Sequence, residues 1–380
     1  MAENLRTSKD SCPLPEGTRA GIPLSPLAPY IIKKEVAIAS MLKAFGIGLI
    51  ATIALLTISP ETQWPPTCPP SEVQPLVSLP KDEAPHSSFM EWWYYTGHLK
   101  DERNDHFGFE LVFFQVRLND NVYFYLAHFA ITDESARRFV FADRQEIRSR
   151  QSSDMGFDLR VGEWRMSGMG GRDRLEADMG SYAIQLDLVD MKGPVFHNHT
   201  GYIGMTTGAG SYYYSRTRME ARGFLAKNNQ KRAVHGIAWM DHQWGDFDPL
   251  VVGWDWFSLR LDPDIELMLF DIWDRRSRDK LYAHGSLVDG KGRLCVLHEG
   301  DFEIVAKGRW ESPHTGAVYP MPWEIRVPSF RLLLDVQPVL QDQEIYGAGP
   351  QRYWEGSSRV QGRAGELPVE GRAYVELVGY

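Results

Sequence analysis

From Glu91 to the C-terminus the chain is built of short aromatic and β-branched segments that recur about every ten residues, with turn residues between them. Phe107–Leu118 and Val122–Ile131 flank the turn cluster Asn119-Asp120-Asn121. Further segments of this kind run over 182–189, 211–219, 234–240, 254–261, 266–273, 285–288, 302–306, 323–327, 331–336, 353–362 and 373–379. Beyond one short helix expected near Ala136, no stretch of this body carries the 3.6-residue apolar period of an amphipathic helix. The pattern argues against βαβ units and predicts an all-β protein, a sandwich or a barrel. At 380 residues the length suits about two domains, with the boundary where Asp248-Pro249 interrupts the pattern, within Asp246–Val251.

Composition narrows the function classes. Hydrophobic residues make up 43% and charged residues 24%, enough apolar material for a core. The formal net charge is −9 and no long basic run occurs, which argues against a nucleic-acid-binding face. The 12 Trp, 16 Tyr and 18 Phe are the unusual feature that the structure must explain. Of the three cysteines, Cys12 and Cys68 lie in the N-terminal fifth and only Cys295 in the main body, so no disulfide framework is expected to staple that body.

The N-terminal residues read as an address. Residues 44–58 (AFGIGLIATIALLTI) carry no charge, follow Lys43, and are short for a spanning helix but long enough for a signal-peptide apolar region. Residues 1–40 are then a tail or an over-long start before Met41, and 41–59 a signal peptide or a signal anchor obeying the positive-inside rule. The expected location is periplasmic or extracellular, or anchored to the membrane by residues 44–58. Residues 60–85 are proline-rich and predict an extended tether. The folded body divides into residues 86–248 and 249–380.

Four motifs carry candidate chemistry. In Glu91-Trp92-Trp93-Tyr94-Tyr95, strand alternation puts Glu91, Trp93 and Tyr95 on one face and Trp92 and Tyr94 on the other. In His235-Gly-Ile-Ala-Trp239-Met-Asp241-His242-Gln-Trp244, Asp241 ends a face shared with His235, Ile237 and Trp239. A carboxyl so placed is costly unless it is neutral or partnered, so Asp241 is the leading general-acid candidate; the structural alternative is a partner such as Arg218. His242 is a candidate base or orienting group. In Ser211-Tyr212-Tyr213-Tyr214-Ser215-Arg216-Thr217-Arg218, alternation groups Tyr212, Tyr214, Arg216 and Arg218, whose phenols can donate hydrogen bonds and shield a cation. Trp254 and Trp256 share a face in Gly253-Trp-Asp-Trp-Phe257 and are candidate pocket walls. His197-Asn198-His199 has ligand-capable spacing but lacks a supporting motif, so no metal is expected. No Gly-x-Ser-x-Gly elbow is present.

Taken in order, these residues resemble the carotenoid hydratase (hydroxyneurosporene synthase, CrtC) and AttH-like family of lipocalin-like proteins. The resemblance runs from about Leu76 to Tyr380. It is carried by Glu91-Trp-Trp-Tyr94, Ser211-Tyr-Tyr-Tyr-Ser215, Gly236-x-Ala-Trp-Met-Asp-His-Gln-Trp-Gly245, Gly253-Trp-Asp-Trp-Phe257, Tyr353-Trp-Glu-Gly356 and Glu376-Leu-Val-Gly-Tyr380. It implies two consecutive lipocalin-like antiparallel β-barrels. It also implies that Asp241 stands where the hydratases carry an acidic residue important for activity, with Trp239 as its aromatic neighbour. The Tyr212–Tyr214 run departs from the mixed aromatic and His pattern of the carotenoid enzymes, and the chain looks closest to the AttH-like secreted-hydrolase group.

The resulting expectation is acid-catalysed hydration of a lipophilic, isoprenoid-like substrate without a cofactor. Asp241, His242, Glu91 and Tyr214 would form the catalytic set. Trp92, Trp93, Tyr212, Trp239, Trp244, Trp254 and Trp256 would form the substrate-binding set. The alternatives are a non-catalytic carrier of a lipophile working beside an envelope export system, and a secreted hydrolase.

Overall fold

The computed structural model describes residues 64–206, 209–347 and 352–380; the apolar run at 44–58 lies outside them. Its strands fall into two large antiparallel sheets within one compact unit. In the first sheet the strand order is Arg138–Arg148, Tyr123–Asp133, His106–Arg117, Met90–Asp101, Gln230–Gly245, Ala209–Lys227, Tyr182–Asp190, Arg172–Asp178, Trp164–Met169 and Phe157–Val161. The last of these packs against the first two, which nearly closes the sheet into a barrel. The second sheet begins at Val252 and runs, in order, through Leu294–His298, Lys280–Val288, Ile265–Asp274, Val252–Leu261, Leu367–Val378, Tyr353–Ala364, Leu332–Pro338, Trp323–Val327 and Glu303–Ala306. The all-β, two-barrel expectation holds. The short helix expected near Ala136 is instead the turn joining Tyr123–Asp133 to Arg138–Arg148, with Asp133 Oδ1 accepting the Ala136 N–H at 2.8 Å.

Alternation sorts each strand into two faces. In the first barrel the inward face carries Trp93, Tyr95, Phe109, Phe129, Tyr214, Met240 and Trp244. In the second it carries Phe257, Leu259, Leu269, Trp323, Trp354, Val375 and Leu377. The opposite faces of the central strands are also apolar, and they pack against each other: Tyr94, Val112, Tyr213 and Trp239 from the first barrel meet Trp256, Met268, Phe270 and Tyr374 from the second. Strands buried on both faces explain the high aromatic content, since each must supply two cores. Ion pairs cross the contact. Lys192 Nζ and Arg218 Nε reach the fully buried Glu266 at 2.6 and 2.5 Å, and Glu134 pairs with Arg359 and Arg372.

The proline-rich segment is extended, as its composition requires, but it is laid on the body rather than left as a free tether. Leu76 N–H donates to Thr200 O at 2.8 Å, and Gly156 N–H to Pro80 O at 3.2 Å. The buried Glu83 carboxylate pairs with Arg216 at 2.7 Å. Contrary to the cysteine reading, Cys68 is bonded to Cys295, so the segment ahead of the first barrel is stapled to the second across 227 residues. Spacing gave no hint of this pair, because Cys68 meets Cys295 through the packing of the segment onto the second barrel.

Removing the bridge by Cys68→Ser with Cys295→Ser should lower unfolding stability by about 2–4 kcal/mol, the usual worth of such a crosslink. Urea unfolding with and without reductant checks it: the wild type should shift on reduction and the double variant should not.

Candidate active site between the barrels

The Met90–Asp101 and Gln230–Gly245 strands pair with Tyr94 opposite Asp241, Trp92 opposite Gln243 and Trp93 opposite His242. This register fixes which candidates share a face. Asp241, Trp239, Trp92 and Tyr94 point toward the second barrel. Glu91, Trp93, His242 and Trp244 point into the first, together with Tyr212 and Tyr214 from the neighbouring strand. The expected catalytic set is therefore divided. Asp241 opens on the space between the barrels, whereas Glu91, His242 and Tyr214 lie behind the sheet and do not reach it. The expected binding set divides the same way, with Trp92, Trp239, Trp254 and Trp256 on the Asp241 side and Trp93, Tyr212 and Trp244 behind.

The grouping of Arg216 with Arg218 also fails. A bulge between Arg216 and Met219 places an extra residue in the strand and reverses the alternation. Arg216 turns inward to Glu83 and Asp190, and Arg218 turns to Glu266 and Asp264 in the second barrel. Neither partners Asp241. The His197-Asn198-His199 pair is not a metal pair either, because both ring nitrogens of the buried His197 meet serine hydroxyls.

Between the barrels lies a narrow cavity of about 70 Å³. Its apolar walls include Trp92, Phe114, Phe247, Trp254, Trp256 and Phe270, and two carboxyl groups, Asp241 and Glu376, open on it. Their positions correspond. Asp241 is paired across its ladder with Tyr94, and Glu376 across its own with Trp256. Each barrel thus contributes one acid and one aromatic residue at matching register.

The two acids are held differently. Asp241 accepts from Tyr213 Oη at 2.7 Å, from Trp239 Nε1 at 2.6 Å and from Ser215 Oγ. Burial pushes its pKa up, these three donors pull it back, and it rests at about 6. Glu376 has one side-chain donor, Trp254 Nε1 at 2.7 Å, and is half-buried. Burial, aided by the nearby Asp241 charge, raises it to about 7. Glu376 therefore binds its proton more tightly than Asp241 does.

Two more acids stand just behind. Tyr94 Oη donates to Glu355 Oε1 at 2.8 Å, and Tyr353 Oη lies 2.9 Å from Glu110 Oε1, each contact crossing from one barrel to the other. The second oxygens of Glu110 and Glu355 are buried without a partner. Burial raises both, with the Glu376 charge adding to it at Glu110, which reaches about 8, and the Glu110 and Glu376 charges at Glu355. Sequence reasoning missed Glu110, Glu355 and Glu376 as site residues. Each is a lone acid in an apolar run (Phe-Glu-Leu, Tyr-Trp-Glu, Val-Glu-Leu), the same signal that drew attention to Asp241.

A polar chain leads away from Asp241. Ser215 Oγ lies 2.7 Å from His197 Nε2, His197 Nδ1 lies 2.8 Å from Ser286 Oγ, and Ser286 Oγ lies 3.3 Å from His284 Nε2. Burial lowers the pKa of both histidines, His284 to about 4, so the rings are neutral. With Ser215 donating to Asp241, His197 donates through Nε2 and accepts through Nδ1, and every proton in the chain points toward Asp241. The chain orients Ser215 toward Asp241 and ends at the buried His284 Nδ1, which has no partner among the described residues. It does not make a hydrolytic triad, because the serine stands between Asp and His, its proton already given to the carboxylate.

The two barrels, their packed faces and the acid-lined cavity define a lipocalin-like double barrel. The AttH-like family model matches residues 70–380, and the chain belongs to that family. Its fold matches the crystal structure of an AttH protein from Nitrosomonas europaea, with a TM-score of 0.71 and 26% identity, covering 83% of this chain and 100% of that one. It also matches kievitone hydratase from Nectria haematococca, with a TM-score of 0.67 and 17% identity, covering 81% and 94%. No curated protein sequence matches the chain.

The buried acids set a pH dependence for stability. A carboxyl whose pKa is raised on folding favours the native state at low pH, and that advantage is lost as pH climbs from the unfolded value, near 4.5, through about 8 for Glu110. The urea midpoint of the wild type should fall between pH 5 and 8, and Glu110→Gln should flatten that fall. An unchanged slope in the variant would mean that Glu110 is not held neutral.

Proposed function

We propose that the protein is a hydratase that adds water across a carbon–carbon double bond at the apolar end of a lipophilic, isoprenoid-like substrate. The observation that carries this reading is the pairing of Asp241 and Glu376, unequally protonated, within an aromatic-walled cavity. A cavity of about 70 Å³ has room for the reacting end of a prenyl-like chain rather than for a whole isoprenoid. The hydratase fold neighbour from Nectria haematococca is in keeping with the reading.

In this mechanism Glu376 gives its proton to one alkene carbon and the π pair forms the new C–H bond. The cation left on the other carbon faces the rings of Trp92, Trp254 and Trp256 and the Asp241 carboxylate, which stabilise it. Water adds its lone pair to that carbon, and Asp241 takes the released proton. Exchange with solvent, out of Asp241 and into Glu376, restores the starting protonation. Asp241 is thus the base and charge stabiliser, and the donor role first expected of it passes to Glu376. Glu91 and His242, expected to receive the water's proton, are replaced in that role by Asp241 because they lie behind the sheet.

We also read the protein as exported. The Cys68–Cys295 bridge supports this, because such bonds persist in oxidising compartments, as does the apolar run at 44–58. Membrane attachment through that run if it is uncleaved, and work beside an export system, belong to the same proposal.

The test is mass spectrometry of lipid extracts from cells producing the wild type, Asp241→Asn or Glu376→Gln. A lipophile that gains one water with the wild type should lose that product in either variant by a factor of about 100 or more. The same lipophile bound unaltered to all three proteins would replace the enzyme with a carrier.

A further inference from the structure

The face of the sheet turned away from the cavity holds a separate cluster. His86 directly follows the proline-rich segment, Glu91 comes from the Met90–Asp101 strand and His242 from the Gln230–Gly245 strand. One ligand-capable atom of each lies within 4.8 Å of the other two. Glu91 Oε1 stands 2.8 Å from His86 Nδ1 and 2.8 Å from His242 Nε2. Glu91 and His242 are fully buried, whereas the His86 side chain is 23% exposed, which gives an ion a way in.

The atoms facing away from the cluster are also provided for, and this marks a built site. Glu91 Oε2 accepts from Gln115 Nε2 at 3.0 Å and from the His86 backbone N–H at 2.8 Å. His242 Nδ1 lies 3.3 Å from Tyr214 Oη, and His86 Nε2 lies 3.8 Å from the Asp82 carboxylate. Metal-bound imidazoles characteristically hand their other N–H to such a partner, which fixes ring and tautomer. The rings are clamped as well: His86 stacks on Trp244 at 4.1 Å and His242 on Trp93 at 4.6 Å.

We propose that His86, Glu91 and His242 form a binding site for a divalent cation of the zinc type, which ties the proline-rich segment to the mouth of the first barrel. Two imidazoles and one carboxylate form a ligand set that zinc accepts, with a fourth position left for water. Tetrahedral zinc with bonds of about 2.1 Å holds its ligand atoms about 3.4 Å apart. The 2.8 Å contacts at Glu91 therefore open by roughly half an ångström as each imidazole takes the tautomer with its proton on the far nitrogen, toward Tyr214 or Asp82. The role assigned here is attachment of the segment, and it is independent of the chemistry proposed between the barrels.

The test uses untagged full-length protein, stripped with a chelator and titrated with Zn²⁺ by calorimetry and with Co²⁺ by visible absorption. The wild type should take up one tight equivalent and develop the cobalt bands of a low-symmetry N/O site. His86→Ala should weaken that equivalent at least about 100-fold, since it removes a ligand rather than an outer partner. His314→Ala, at the exposed His314–Asp342 pair, should leave it unchanged. Zinc-edge X-ray absorption on the wild type gives a readout that needs no variant, and two imidazoles in the first shell are expected. No uptake by the wild type, equal uptake by His86→Ala, or a first shell without imidazole would overturn the proposal.

Discussion

The molecule depends on one strand pair. Met90–Asp101 and Gln230–Gly245 run antiparallel at the centre of the first sheet, with Tyr94 opposite Asp241. Because side chains alternate, this single register sends every second residue into the first barrel and the rest against the second. A slip of one residue would exchange the two sets, moving Asp241 among the inward aromatics and His242 into the interface. The buried partners on both faces make such a slip costly. Tyr213, Ser215 and Trp239 hold Asp241 on one side, and Glu91 and Tyr214 hold His242 on the other.

Low dielectric explains why the interface can carry chemistry. A lone buried carboxylate is expensive, so each acid there either gathers donors or keeps a proton. Asp241 gathers three donors. Glu376 has one and binds its proton more tightly than Asp241, and Glu110 and Glu355 bind theirs more tightly still. The contrast arises from neighbours on adjacent strands rather than from the acids themselves. It gives chemically similar groups facing the same cavity different proton affinities.

Much of the fold was legible in the sequence because alternation and turn residues directly encode antiparallel strands. The strands between Arg138 and Asp178 were less visible, since runs such as Arg-Asp-Arg-Leu-Glu-Ala-Asp spend half their residues on solvent. The site was legible residue by residue but not as an assembly. Alternation shows that Glu91 and Trp92 face opposite ways, yet it does not say which of them joins Asp241; only the pairing register does. The bulge at Arg216–Met219 broke the alternation argument locally, and the Cys68–Cys295 bond rests on a tertiary contact that no spacing announces. The isolated acids at 110, 355 and 376 were readable by the same rule as Asp241.

The central claim is that a lipophile is held between the barrels and not inside the first one. Photocrosslinking measures this most directly. A prenyl alcohol bearing a diazirine at its apolar end would be irradiated with the protein, and the labelled residues located by peptide mass spectrometry. The account predicts labels on Trp92, Phe114, Trp254 or Phe270. Labels confined to inward residues of the first barrel, such as Phe109 and Phe129, would contradict it.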